Sequence, residues 1–510
     1  MDINGIPIES ASISQIQAAL RGRKVTARQL VEAYLARIEA FDQSGPALNA
    51  IVTLASDALE QADKLDADLA AGQALGALHG IPMLVKDCLE TKDMPTSYGS
   101  EIFAEYQAGE DATVIANLRK AGAIIIGKTT LPDWATSWFT YSSRTGLTKN
   151  PYDLNRDPGG SSAGTGAAIS AGFATIGLGT DCGGSVRVPS SFCNLVGVRS
   201  TPGLISRKGC NPLVSMQDTI GPMGRCVADV ARVFDVMVGF DEADELTYAA
   251  EISKQKGPYL AELVPDAILG LRIGVVRNAF GADDGQHSAP VNKVMTAALD
   301  QLTAAGAVLV DVEIPNLQDW NVRTSLYTTK SKYDIDRFLA SKPDAPMHSV
   351  KEIVDSKRYH PKLDLLEAIE AGPDDPFADP AYYPGFAARE AYMKVVVNLM
   401  GVNGLAALVY PTVQVVPPTR EDCDSDVWNT LNFPTNTLIS SQTWMPAMSI
   451  PAGFTEDGLP IGMEILARPY DERTLFRVGF GFEQVTNHCT LPASTPILSH
   501  VDPQGGLLPR

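Results

Sequence analysis

Long apolar runs are missing from this 510-residue sequence. No stretch approaches the roughly 18 consecutive apolar residues of a membrane-spanning helix. The N-terminus, MDINGIPIESAS, has no basic segment followed by an apolar one, which speaks against a secretory signal. Positive charge is scarce too: 41 Lys+Arg face 60 Asp+Glu, a formal net charge of −19. That balance argues against nucleic acid or an anionic membrane as the main partner, since both bind cationic faces. The acidic residues are spread out apart from short clusters such as Asp63 to Asp68 and Glu421 to Asp426, so there is no acidic tail. The seven cysteines (Cys88, Cys182, Cys193, Cys210, Cys226, Cys423 and Cys489) are odd in number and widely spaced, with no CxxC pair. A disulfide framework and a zinc ribbon are both disfavoured; reduced thiols, no metal and no cofactor are expected. These absences describe a soluble, cytoplasmic protein.

What is present is ample core-forming material, with 45% hydrophobic and 20% charged residues. Thr26-Ala-Arg-Gln29 is a capping-box pattern, and behind it Leu30, Val31, Tyr34, Leu35, Ile38 and Phe41 recur at helical spacing. A second helix is predicted from about Ser56 to Ala71, with Gly72 placed to stop it. From Gly76 onward, short apolar runs bounded by Gly and Pro alternate with helical segments: IPMLVK, a helix around 113–121, AIIIG, a helix around 163–171, then ATIGLGT. LRIGVV, VLVDVEI, ALVYPTV and MEILA supply later strands, with a helix from about Val291 to Ala305. Such alternation predicts an α/β fold: one large domain over 1–510 with a central, mostly parallel or mixed twisted β-sheet covered by helices on both faces. Within it fall an N-terminal helical region, about 1–75, a core of about 76–240, and a polar helical insertion of about 315–405.

One motif misleads. Gly122-Ala-Ile-Ile-Ile-Gly127-Lys128-Thr129 matches the phosphate-loop pattern letter for letter. Its variable positions are β-branched and apolar, however, and such residues form a strand where a phosphate loop needs a pliant backbone.

Three stretches concentrate Gly, Ser and Lys beyond what packing requires: GIPMLVKD (80–87), DPGGSSAGTGAA (157–168) and GLGTDCGGSVRVPS (177–190). Lys86 ends an apolar strand, where it either snorkels to solvent or stays buried with a depressed pKa, ready to act as a neutral base. Gly159-Gly160-Ser161-Ser162 reads as a loop and N-cap, but it runs into a helix of small residues that permits very close backbone approach. Cys182-Gly183-Gly184-Ser185 leaves successive N–H groups unshielded, able to stabilise an oxyanion beside a Ser185 nucleophile. The six histidines (His79, His287, His348, His360, His488 and His500) are scattered, and no G-x-S-x-G elbow surrounds Ser185, so a Ser-His-Asp site is unsupported. Lysine is the remaining candidate base.

Taken together, GGSSAGTGAAIS, GLGTDCGGSVRVPSSFCNLVGVR and GIPMLVKD resemble the amidase signature family, over nearly the whole chain as far as SIPAGFTEDGLPIGMEI. The spacing agrees as well, 75 residues from Lys86 to Ser161 and 24 from Ser161 to Ser185. The resemblance implies Lys86 as general base, Ser161 as a relay serine with a cis peptide bond, and Ser185 as the acyl-forming nucleophile. It implies an oxyanion hole from the N–H groups of Cys182, Gly183, Gly184 and Ser185, with Ser162, Asp181 and Arg187 in support. Ala163, Thr130 and Arg199-Ser200 depart from the common family pattern and leave the subfamily open.

The activity so implied is hydrolysis of a small-molecule amide to an acid plus ammonia or an amine, with side esterase activity. Trp134, Trp138, Phe139, Tyr141, Trp320, Trp428, Trp444 and Met445 are mostly expected in the core; any that line the acyl pocket would favour an apolar or aryl amide. Two other readings stand beside this one: a glutaminase component of an amidotransferase complex, and a non-catalytic member of the family. The 315–405 insertion is expected on the substrate side; whether it acts as a lid, and whether the protein is a homodimer, are left open.

Overall fold

The computed structural model describes residues 2–73, 75–253 and 257–498; the final residues of the expected 1–510 domain lie outside the described ones. Eleven strands build its main sheet: β1 (Ile51–Leu54), β2 (Ile81–Lys86), β3 (Ala123–Thr129), β4 (Ile176–Asp181), β5 (Val196–Arg199), β6 (Thr219–Gly224), β7 (Arg272–Val276), β8 (Val308–Val312), β9 (Ala407–Pro411), β10 (Ala447–Phe454) and β11 (Pro460–Leu466). Their spatial order is β8-β7-β9-β11-β10-β5-β6-β4-β2-β3-β1. β2 runs parallel to β3 and β4, and β7 parallel to β8 and β9, while the other neighbours pair antiparallel. Of the two arrangements expected from the sequence, the mixed one is observed.

Local sequence accounts for these elements. Every residue of IPMLVK and of AIIIGKT is buried, which is why both runs lack the polar alternation of a one-sided strand. The phosphate-loop look-alike is thus strand β3. Its Lys128 is locked in the core, 3.0 Å from Asp87 and donating to the Pro95 carbonyl at 2.9 Å. Thr26 caps the Ala27–Phe41 helix reciprocally with Gln29, as the capping-box pattern predicts. In the 315–405 stretch the chain forms helices at Leu317–Arg323, Tyr327–Ala340, Val350–Asp355, Asp364–Glu370 and Tyr382–Val402.

Parallel pairing of β2 with β4, in register at Val85 and Leu178, brings their C-terminal ends to one edge of the sheet. Lys86 and Asp181 therefore emerge side by side, at the crevice beyond the carboxyl ends where open α/β sheets place their sites. The Ala163–Ser170 helix closes this corner, and all eight of its residues are buried. Small side chains are a steric necessity there: a Cβ on Gly164 would sit 2.3 Å from the Thr130 nitrogen and 2.4 Å from the Ala50 carbonyl oxygen. Likewise, a Cβ on Gly177 of β4 would meet Thr165 Cγ2 at 2.6 Å.

Two effects oppose each other at Gly164. Alanine is the better helix former by about 1 kcal/mol, but overpacking against backbone atoms costs about 1–3 kcal/mol. The clash wins because backbone cannot swing aside. Gly164→Ala is expected to lower the unfolding free energy measured by chemical denaturation, and a more stable variant would contradict this packing.

Candidate active site

Lys86 occupies the last position of β2 and is fully buried. Its Nζ donates to Ser161 Oγ at 2.7 Å and to Thr180 Oγ1 at 2.8 Å. Among the described residues no carboxylate pairs with it, in contrast to the equally buried Lys128 beside Asp87. Burial pushes the Lys86 ammonium below its ordinary value, against the upward pull of Cys88, Cys210, Asp181 and Asp218. An amine so placed is inclined towards its neutral, proton-accepting form.

Ser161 follows a cis Gly160–Ser161 peptide bond and is fully buried. Ser162, next along the chain, ties the serine turn to β4. Its Oγ donates to the Thr180 carbonyl and accepts from the Thr180 N–H, both at 3.3 Å, while its own N–H donates to the Ser185 carbonyl at 3.1 Å. Gly179 makes room for this contact, since a Cβ there would lie 2.5 Å from Ser162 Oγ. Lys86, Ser161 and the backbone of Ser185 are thereby fixed with respect to one another.

The Cys182–Ser185 turn is folded around the Asp181 carboxylate. Oδ1 accepts from the Gly184 N–H at 2.8 Å and Oδ2 from the Val186 N–H at 3.2 Å. Arg187 grips both oxygens at 3.0 Å, and Arg199 Nη1 donates to Oδ1 at 3.1 Å. Burial alone would raise the Asp181 carboxyl, but the two guanidinium groups outweigh it and hold it at about 2. Arg187 also reaches Glu464, Ser440, Ser441 and the Thr437 carbonyl.

One expectation is corrected by this geometry. The family pattern groups Gly184 with Cys182, Gly183 and Ser185 as an oxyanion donor, yet the Gly184 N–H is already committed to Asp181. Among the described residues, the N–H groups of Cys182, Gly183 and Ser185 have no protein acceptor. Gly184 is instead required for its backbone, at φ +132°, and for space, since a Cβ would fall 2.1 Å from Thr437 Oγ1. At Gly183 a Cβ would lie 2.3 Å from the Tyr327 hydroxyl.

Above the turn lies a cavity of about 580 Å³, with Gly183 and Ser185 in its wall. Trp138, Tyr327, Phe433, Leu213 and Leu365 form apolar walls, and Gln318, Asn321, Gln414, Asn432, Asn436 and Gln442 contribute six carboxamides. No Asp, Glu, Lys, Arg or His side chain lines it. Of the aromatic residues singled out in the sequence, only Trp138 reaches the cavity. Trp134 is stacked on Tyr98 in the core at 5.0 Å, and Trp320 on Tyr392 at 5.5 Å.

Several participants are not evident from sequence. Arg199 stands out there only as a departure from the common family pattern. Glu464, the lone charge in the apolar run MEILA, carries the same signal as Lys86 in IPMLVK: an ionisable residue that strand pairing forces inward. Tyr327, held by Gln217 Nε2 at 2.8 Å, has no local signal.

Residues 29–476 match the sequence family described as Amidase. The chain is 31% identical over 497 residues to the A subunit of the glutamyl-tRNA(Gln) amidotransferase of Microcystis aeruginosa, covering 95% of this chain and 99% of that protein. The structure of native peptide amidase from Stenotrophomonas maltophilia is similar with a TM-score of 0.84 and 31% identity, covering 96% of this chain and 100% of that one. The corresponding amidotransferase component from Thermotoga maritima is similar with a TM-score of 0.74 and 25% identity, covering 95% and 98%. No helix among the described residues is long and apolar enough to cross a membrane. With sequence and fold matching along almost its whole length, this chain belongs to the amidase signature family, a family of amide hydrolases and amidotransferase components.

Proposed function

We propose that this protein hydrolyses a neutral carboxamide through an acyl-enzyme on Ser185. The reading rests chiefly on the buried, carboxylate-free Lys86 at 2.7 Å from Ser161, beneath a cavity that opens at Ser185. Neutral Lys86 takes the Ser161 proton and Ser161 takes that of Ser185, whose oxygen attacks the amide carbon. The N–H groups of Cys182, Gly183 and Ser185 face the developing oxyanion. The proton returns along the same path to the departing nitrogen, ammonia or an amine leaves, and water then releases the acid. Asp181, Arg187 and Ser162 hold the turn without touching the substrate.

The substrate class follows from the cavity wall. A free amino acid such as glutamine would bring an ammonium and a carboxylate into a site whose walls carry no opposite charge. Unpaired charges taken out of water cost several kcal/mol each. Six carboxamides among apolar walls suit instead an uncharged ligand with peptide-like donors and acceptors and an apolar or aryl acyl group, and activated esters of the same acids would also be turned over. The competing reading, a glutaminase component of an amidotransferase, is favoured by the long match to the Microcystis aeruginosa protein. It requires partner chains and a charged recognition site for glutamine.

Lys86→Ala is expected to lower kcat by about 10²–10⁴-fold, the usual range for loss of a general base, while far-UV circular dichroism stays unchanged. The sign of the pH dependence follows from burial. The neutral amine is the active form and its folded pKa lies below the ordinary 10.5, so the wild-type rate falls as pH drops through that lowered value. Undiminished turnover in the variant, with the same pH limb, would remove Lys86 from the mechanism. In a panel of N-acylated peptide amides, aryl amides and free glutamine, the neutral amides should lead glutamine in kcat/KM by at least about a hundredfold, or about 2.8 kcal/mol. A preference for glutamine would establish the glutaminase reading instead.

A further inference from the structure

Near Lys86 lie two thiols that are absent from the substrate cavity's wall and that the proposed reaction does not use. Cys88 follows β2 by two residues and is fully buried. Its Sγ is 3.7 Å from Thr180 Oγ1, the same hydroxyl that accepts from Lys86 Nζ at 2.8 Å. The chain is joined there by an antiparallel bridge between Leu89 and Cys210, backed by the Glu90 N–H donating to the Gly209 carbonyl at 2.8 Å. That bridge sets Cys210 opposite the residue that follows Cys88, so that the two thiols influence each other, while Cys210 Sγ donates to the Asn211 carbonyl at 3.5 Å. Cys210 in turn borders a separate surface cavity of about 200 Å³, framed by Arg207, Asn211, Asp244 and Phe338. Cys210 thus lines a surface cavity, and Cys88 touches the hydroxyl that positions the candidate base.

We propose that Cys88 and Cys210 form a peroxide-sensitive dithiol whose closure to a disulfide slows the Ser185 chemistry through Thr180 and Lys86. The chemistry fits the electrostatics. Burial would raise the Cys88 thiol, but the influence of Cys210 and the Lys86 cation outweigh it and bring it down to about 7. Cys210 is raised well above its ordinary range. Cys210, the thiol at the surface cavity, passes its proton to the Cys88 thiolate and attacks hydrogen peroxide; the O–O bond breaks, and the departing hydroxide takes that proton from Cys88 as water. The Cys88 thiolate then attacks the Cys210 sulfenic sulfur, the S–S bond forms, and a second hydroxide leaves to be protonated by solvent. Two thiols are oxidised and one peroxide is reduced to two waters. Bond formation draws the Cys88 sulfur away from Thr180 and disturbs the placement of Lys86, where displacements of an ångström are costly.

The test treats the purified full-length protein with hydrogen peroxide and reads two quantities. Peptide mass spectrometry without reduction should find the Cys88 and Cys210 peptides linked, with a loss of two hydrogens. The rate of fluorophosphonate labelling at Ser185 should fall at least tenfold and recover with dithiothreitol. Cys210→Ser, or Cys210→Ala if the first folds poorly, should label at the untreated wild-type rate and keep that rate after peroxide. Absence of the linked peptide, a linked peptide with unchanged labelling, or equal slowing of the Cys210 variants would each overturn the proposal. The labelling arm rests on the Ser185 reading and the mass arm does not. Failure of the untreated protein to label would therefore count against the proposed function and leave the dithiol to be judged by its linked peptide.

Discussion

An amine held in the core without a carboxylate is the constraint on which the rest of this site depends. Lysine tolerates full burial in two ways, and this protein uses both within one pair of adjacent strands. Lys128 on β3 pairs with Asp87 at 3.0 Å. Among the described residues, Lys86 on β2 donates to the hydroxyls of Ser161 and Thr180 and pairs with no carboxylate, so burial pushes it towards the neutral amine. Had Asp87 been aimed at Lys86, the ion pair would have opposed the effect of burial and removed the proposed proton acceptor. Strand alternation prevents this, because successive side chains point to opposite faces and Lys86 and Asp87 diverge.

Charge near Lys86 is managed by enclosure. Asp181 lies close enough to pull the lysine upward, yet two arginines and two N–H groups consume its acceptor capacity. With Glu464 on the far side of Arg187, two carboxylates and two guanidinium groups form a locally balanced cluster, fully buried. Such a cluster adds little net stability over an apolar core, but removing one member leaves a buried charge uncompensated at about 3–5 kcal/mol. Its return is geometrical: the carboxylate fixes the Gly184 N–H and so decides which N–H groups of the turn remain to face the cavity. Cys88, like Cys210 and Asp218, acts on Lys86 from outside this cluster. As a thiolate it favours Lys86 as an ammonium, so the two protons are linked.

Legibility from sequence follows the physics of burial. IPMLVK and AIIIGKT announce themselves as strands because burial on both faces leaves an unbroken apolar run, and Lys86 stands out against the first of them. Strand β6, TIGPMG, is not recognisable in that way, since Gly and Pro ordinarily punctuate strands. It pairs nonetheless along the length of β4, with Gly221 pressed to within 1.9 Å, at its missing Cβ, of the Val198 carbonyl oxygen. The glycines there are the condition for close packing rather than a turn. The Gly183-Gly184 pair reads as unshielded backbone, but sequence cannot show that Asp181, three residues before Gly184, takes one of its two N–H groups. Nor can it show that Tyr327 from the insertion comes down over Gly183, because that contact joins segments far apart in the chain.

These observations bear on how one scaffold can serve relatives with different names. The Lys86–Ser161 contact, the serine turn and the charge cluster sit at the edge of the sheet, beneath the cavity floor, and none depends on what the acyl group is. The cavity wall comes from elsewhere: Gln318, Asn321, Tyr327 and Leu365 lie in the 315–405 helices, and Asn432 to Gln442 in the segment before β10. Those segments are free to vary because they carry no strand of the sheet. In a chain of 41 Lys+Arg and 60 Asp+Glu, the cavity wall carries no acidic or basic side chain. On the proposed reading, a zwitterion is excluded by withholding counter-charges, a form of exclusion that leaves the floor beneath the cavity unaltered.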